Sequence, residues 1–199
     1  NEFSSVDENN EYALSRILVN GWNGKKYGAV MTAYDSKNDF AVLQYNSPSA
    51  AENAENKMLT DGLSAEADSI ARLDSAEKCT MSPENSSALG INSYLDNFAM
   101  SKDDVTVAVV DTGVMYDHEA IAQRFCSEGV DFSGDNCEDA YYDTTETGDY
   151  YGHGTFICGV IADNTPDTVS ILPVKVVQFE TEATSASAII SGINYAVSY

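Results

Sequence analysis

Val105-Thr106-Val107-Ala108-Val109-Val110-Asp111-Thr112-Gly113-Val114 is the stretch that decides how this chain folds. Residues 105–110 are apolar almost throughout, which suits a strand buried on both faces of a parallel sheet. The run stops on a carboxylate followed by Thr-Gly, a turn signal. A carboxylate directly after such a strand sits at the sheet's carboxyl edge, where α/β proteins place their sites. Toward the carboxyl terminus, strands and helices alternate. The pattern predicts a short strand at 129–132, a core-buried helix at 153–162 and a strand at 169–177. An amphipathic helix at 185–197 follows, with Ile189, Ile190, Ile193 and Ala196 on one side. This alternation predicts an α/β unit, a parallel sheet with helices on both faces.

Toward the amino terminus the pattern changes. Residues 1–15 are polar. Strands are expected at 16–19, 29–34 and 40–45, with a turn-rich Asp35-Ser36-Lys37-Asn38-Asp39 between the last two. Ser47-Pro48 signals a helix start, a capping oxygen followed by proline at the first helical position. That helix carries Ala51, Ala54 and Met58 on one face and stops before Gly62. A strand at 69–73 completes a small α+β unit over residues 12–74. A polar Ser/Glu/Asn-rich linker follows over 75–90, and the α/β unit occupies 91–199.

Charge divides the chain in the same place. The 199 residues carry a net charge of −22, with −6 in residues 1–80 and −16 in 81–199. Such a balance repels phosphates and anionic lipid, which excludes nucleic-acid and membrane-surface binding. No apolar run is long enough to span a bilayer. At 43% hydrophobic residues, the chain has enough apolar side chain for a real core. It begins at Asn1, not Met, and shows no signal peptide; an export signal, if one existed, has been removed. Of four cysteines, Cys126 and Cys137 lie in a Gly/Asp-rich stretch and suit a loop disulfide in an oxidising compartment. Cys158 reads as a small buried hydrophobe, and Cys79 has no evident partner.

A second stretch bears on chemistry: Gly152-His153-Gly154-Thr155, leading into Phe156-Ile157-Cys158-Gly159-Val160-Ile161-Ala162. A histidine heading a helix is held on a rigid element at the rim of a site, and flanking glycines allow close approach. Singly, each motif is weak. Asp-Thr-Gly also occurs in aspartic proteases, but a second copy is absent here and Val114 follows the glycine. His118-Glu119-Ala120-Ile121-Ala122 is not a zinc helix, because its fifth residue is not histidine.

Taken in order, Asp111-Thr112-Gly113 and Gly152-His153-Gly154-Thr155 resemble the aspartate and histidine motifs of the subtilisin-like serine proteases. Residues 169–177 and 187–197 resemble that family's next strand and helix. Residues 12–74 are similar to its propeptide, an intramolecular chaperone and inhibitor of ferredoxin-like α+β fold. The points of similarity are Tyr27-Gly28-Ala29-Val30, Val42-Leu43-Gln44-Tyr45, the helix at 51–59 and Ser69-Ile70-Ala71-Arg72-Leu73-Asp74. The resemblance implies a serine endopeptidase in proform, with His153 as general base and Asp111 holding its tautomer. It makes His118 structural. It implies protein or peptide substrates, a propeptide bound intramolecularly, and a secreted or cell-surface location. The family's nucleophilic serine, in a Gly-Thr-Ser block, and its oxyanion asparagine are expected downstream of Tyr199. On that expectation the chain is an N-terminal fragment, its parallel-sheet domain incomplete, inactive as given.

Departures from the family touch cofactors. No organic cofactor is expected. Calcium remains a candidate ligand, but its usual site reads as degraded. Glu119-Ala120-Ile121 stands where the family places a calcium acid, and the ligand-bearing loop is shortened to Asp163-Asn164-Thr165-Pro166-Asp167. The acidic stretch 131–149 fits no EF-hand spacing and reads as a solvated face. Phe156 stands where the family commonly repeats a histidine. Two other readings compete: a pseudoprotease acting as a binding or regulatory module, and a stand-alone inhibitor in which residues 12–74 do the work.

Overall fold

A computed structural model describes residues 12–72, 105–127, 129–133, 152–178 and 181–199. Cys79, Cys137, the linker 75–90 and most of the acidic stretch 131–149 lie outside the described residues.

The amino-terminal sheet holds β1 (Tyr12–Asn20), β2 (Met31–Asp35), β3 (Phe40–Gln44) and β4 (Ser64–Arg72), in the antiparallel order β2-β3-β1-β4. Alternation along β1 sends Ile17 and Val19 to one face and Arg16 and Leu18 to the other, and all four are buried. The first face packs against α1 (Pro48–Thr60) through Ala51, Ala54 and Met58, the stripe expected from the sequence. Burying a side chain such as Ile17 or Met58 is worth about 1.5–3 kcal/mol. Ser47 caps α1, its hydroxyl accepting from the Ala50 N–H at 3.2 Å. Proline at the next position gives up an N–H that has no helical partner anyway.

β1 and β2 run in the same direction on either side of β3, so residues 21–30 must cross the sheet. They do so without a helix, and Trp22, Tyr27 and Ala29 settle against the α1 core. The arrangement is ferredoxin-like, with one crossover helix replaced by a loop.

The second sheet is parallel: β5 (Val105–Asp111), β7 (Val169–Lys175) and β6 (Val130–Asp131), in the order β5-β7-β6. Helices cover both faces. On one, α2 (His153–Asn164) adds Cys158 to Val109, Val114, Ile121 and Ile171. On the other, α3 (Ala186–Ser198) adds Ala188 to Leu172, Val174 and Val176. A Cβ on Gly192 would lie 2.9 Å from Val176 Cγ1 and 3.0 Å from Val174 Cγ1, so only glycine lets α3 approach this closely.

Two expectations are corrected. α2 is apolar nearly all round, yet among its residues only Gly154 and Cys158 are buried, because the helix lies on one face of the sheet. In α3 the buried residues are Ser187, Ala188 and Gly192, while Ile193 is 48% exposed. The small side chains make the closest approach, with Ile189 and Tyr195 packed partly buried beside them and Ile193 turned toward solvent. β4 also begins earlier than expected and β7 stops at Lys175.

A further strand was not anticipated. β8 (Ala183–Ser185) leaves the parallel unit and pairs antiparallel with the end of β4, matching Ile70 with Ser185, Ala71 with Thr184 and Arg72 with Ala183. One continuous sheet, β2-β3-β1-β4-β8, therefore ties the two halves together.

Candidate active site

Asp111 is the last residue of β5 and His153 the first of α2, so strand edge and helix start meet at one point. His153 Nδ1 lies 2.8 Å from both Asp111 Oδ1 and Oδ2. An ionised carboxylate only accepts, so Nδ1 carries the proton and donates it across the fork. In the neutral ring this leaves the lone pair on Nε2. The Asp111 side chain is 16% exposed and that of His153 44% exposed: the carboxylate is held inside, the ring reaches the surface. Asp111 Oδ1 also accepts from the Thr112 N–H at 2.7 Å, which fixes the carboxylate's rotation.

Three contacts hold the helix start against the strand end. Thr112, buried, accepts from the Gly154 N–H at 3.0 Å through its hydroxyl, and the Thr155 hydroxyl accepts from the Met115 N–H at 2.9 Å. The third is steric. A Cβ on Gly154 would overlap the Gly113 carbonyl oxygen, so any larger residue would push α2 away from Asp111. Thr112 escaped the sequence reading because a threonine in Asp-Thr-Gly reads as a turn former. Its partner, Gly154, is remote in sequence.

His118 takes no part in the pair. Its Nδ1 accepts from the Ala120 N–H at 3.3 Å, a turn contact within its own loop. Cys126 is exposed and Cys158 buried, with neither bonded to another described residue's sulfur. Among the described residues no group of three or more His, Cys, Asp or Glu is placed to hold a metal ion. No helix among them is long and apolar enough to cross a membrane.

A second carboxylate, also missed in the sequence, sits where the two halves meet. Asp68 on β4 is fully buried and pairs with Arg16 Nε at 2.9 Å. Its Oδ1 accepts from the Ser187 N–H at 2.9 Å and its Oδ2 from the Ser187 hydroxyl at 2.6 Å. It thereby satisfies one of the free N–H groups at the start of α3. Ser185, the α3 N-cap, lies 2.9 Å from the Ser187 hydroxyl and accepts from the Ala188 N–H at 3.2 Å. Burial pushes the Asp68 carboxyl above its usual range, against the pull of Arg16 and Ser187. Burial likewise lowers Arg16, with Asp68 opposing.

Residues 102–198 match the profile of the Subtilase family. No curated protein matches the chain. The matched span contains the parallel sheet, both of its helices and the aspartate–histidine pair at their junction. The match supports reading residues 102–198 as a subtilisin-like serine protease fragment.

Proposed function

We propose that this chain belongs to a serine endopeptidase in its proform. Residues 12–74 act as inhibitor and folding chaperone, 75–90 as the processing segment and 91–199 as the first part of the catalytic domain. The observation that carries the reading is the 2.8 Å contact of His153 Nδ1 with Asp111. It leaves Nε2 as the nitrogen that takes the nucleophile's proton and returns it to the leaving amine. Asp111 keeps the tautomer and stabilises the imidazolium as it forms. Pairing of β4 with β8, and Asp68 capping α3, support the inhibitory role of the first unit. An extended segment already hydrogen-bonded to an edge strand excludes a substrate from that edge.

No serine of this sequence stands in a Gly-Thr-Ser block, so these 199 residues hold two of the three groups that acyl transfer needs. By themselves they are expected not to hydrolyse peptides. The substrates are proteins or peptides, and the same reading places the protein outside the cell or on its surface.

The test is hydrolysis of an unstructured protein substrate by the complete protein. His153→Ala is expected to lower kcat on the order of a million-fold, with folding retained. Amino-terminal sequencing of the matured protein should find a start between Asp74 and Ala88. Hydrolysis that survives His153→Ala would overturn the endopeptidase reading. Peptide binding without hydrolysis would favour the non-catalytic alternative.

A further inference from the structure

The segment from the last turn of α2 to β7 converges on one side chain of another loop. Arg124 is 8% exposed, and its guanidinium is ringed by oxygens of residues 162–169. Nε donates to the Val169 carbonyl at 3.1 Å and Nη1 to the Ala162 carbonyl at 2.9 Å. Nη2 donates to the Pro166 carbonyl at 2.9 Å and the Thr165 hydroxyl at 2.7 Å. The Thr165 carbonyl lies 3.5 Å from both Nη1 and Nη2. Main-chain carbonyls and a hydroxyl, gathered from a short loop around one charge, are the acceptor set that hard cations take from proteins.

Family resemblance would put calcium on this loop, and the residues present do not fit it. The cage already contains a positive charge that does not titrate in proteins. Its close oxygens are all neutral. The nearest carboxylate, Asp167, stands 3.9 Å from Nη1 with its side chain in solvent, and Ala120 occupies the position after Glu119 where an acid would be needed. A divalent ion added here would meet a buried guanidinium with, among the described residues, only the solvent-exposed Asp167 carboxylate near it.

We propose that Arg124 is the resident cation of this loop, doing with a tethered guanidinium what a bound metal ion would otherwise do. The planar fork matches a fan of carbonyls that a point charge would not satisfy. By donating to the Ala162 carbonyl it also closes a free end of α2, and its charge sits favourably at the negative pole of that helix. Its own backbone is fixed too, since the Arg124 carbonyl accepts from the Ile171 N–H at 2.7 Å. Arg124 is thus a positioning residue for α2, the helix that His153 heads, and its grip requires no diffusible metal.

The experiment is thermal unfolding of the 199-residue chain, a readout independent of whether the protein cleaves peptides. Arg124→Ala should lower Tm by roughly 5–10 °C. Guanidinium ion at tens of millimolar, far below its unfolding range, should restore much of that loss. It should do nothing for the unsubstituted chain, and equal concentrations of sodium chloride or urea should restore nothing. Should Arg124→Ala fail to fold, Arg124→Lys and Arg124→Met decide the matter. Lysine retaining more stability than methionine supports a cation role, and equal loss in both overturns it. An Arg124→Ala chain that unfolds with the unsubstituted one, or is not rescued selectively by guanidinium, also overturns it.

Discussion

Two aspartate-centred pairs with nearly the same contact distance have different surroundings in this protein. Asp111 meets His153 at 2.8 Å with the ring 44% exposed, whereas Asp68 meets Arg16 at 2.9 Å with both side chains at 5% exposure or less. On the proposed function the first pair supplies an imidazole that accepts and returns a proton, and its ring is open to solvent. The second uses a guanidinium in a place closed to water, with each carboxylate oxygen occupied. Separation does not distinguish reactive chemistry from structural glue here. The identity of the partner and its access to solvent do.

Substitutions sharpen the contrast. Asp111→Asn is expected to cut peptide hydrolysis by the complete protein on the order of 10,000-fold, by favouring the wrong histidine tautomer, with little change in Tm. A large stability loss in that variant would place the two pairs in one class. Asp68→Ala should behave in the opposite way. It leaves Arg16 buried without its anion and α3 without its cap, a cost of about 3–5 kcal/mol in urea unfolding, with the Asp111–His153 geometry unchanged. Gly154→Ala falls between the two. Its methyl overlaps the Gly113 carbonyl, so a loss of about 1–3 kcal/mol should accompany reduced kcat, because α2 must shift away from Asp111.

Smaller effects separate the charges further. The Asp68 carboxyl is raised from 3.8, chiefly by burial, so folding takes up protons at this site. Its contribution to stability is therefore full in acid and falls as pH climbs from about 4 through the raised value. Asp68→Asn should remove that component from a profile of urea stability against pH, and an unchanged profile would contradict the assignment. Ser187→Ala, which deletes one hydroxyl donor to Asp68 and keeps the N–H, should cost about 1 kcal/mol.

What could be seen in the sequence follows the range of each signal. α1 was legible at both ends and on its buried face, because Ser47, Pro48 and Gly62 act locally and Ala51, Ala54 and Met58 share one helical stripe. Asp111 and His153 were legible because each sits in a short motif at an element's end. β8 was not, since three small residues carry no periodicity and their hydrogen-bond partner is β4. Asp68 lay just ahead of the strand expected at 69–73 and carried no signal of its own, for Arg16 and Ser187 reach it from elsewhere in the chain. Arg124 is one of three bases in residues 81–199, and only the fold gathers carbonyls around it. The isoleucines of α3 were informative only in part, since Ile189 packs against the core and Ile193 is exposed. Helical periodicity identifies a stripe, but the small residues at Ser187, Ala188 and Gly192 decide which stripe can come close.

The join between β4 and β8 also bears on the order of assembly. Asp68 and Ser187 are 119 positions apart, whereas β2, β3, α1 and β4 succeed one another along the chain. Short-range closure is fast, and its entropic cost is met early. The amino-terminal sheet therefore has every reason to form while the rest is still open, presenting Asp68 and a free strand edge in finished positions. The last turn of assembly then amounts to template matching. Three residues of β8 and the first turn of α3 settle onto a surface already shaped for them, and a long-range contact becomes a docking step instead of a search.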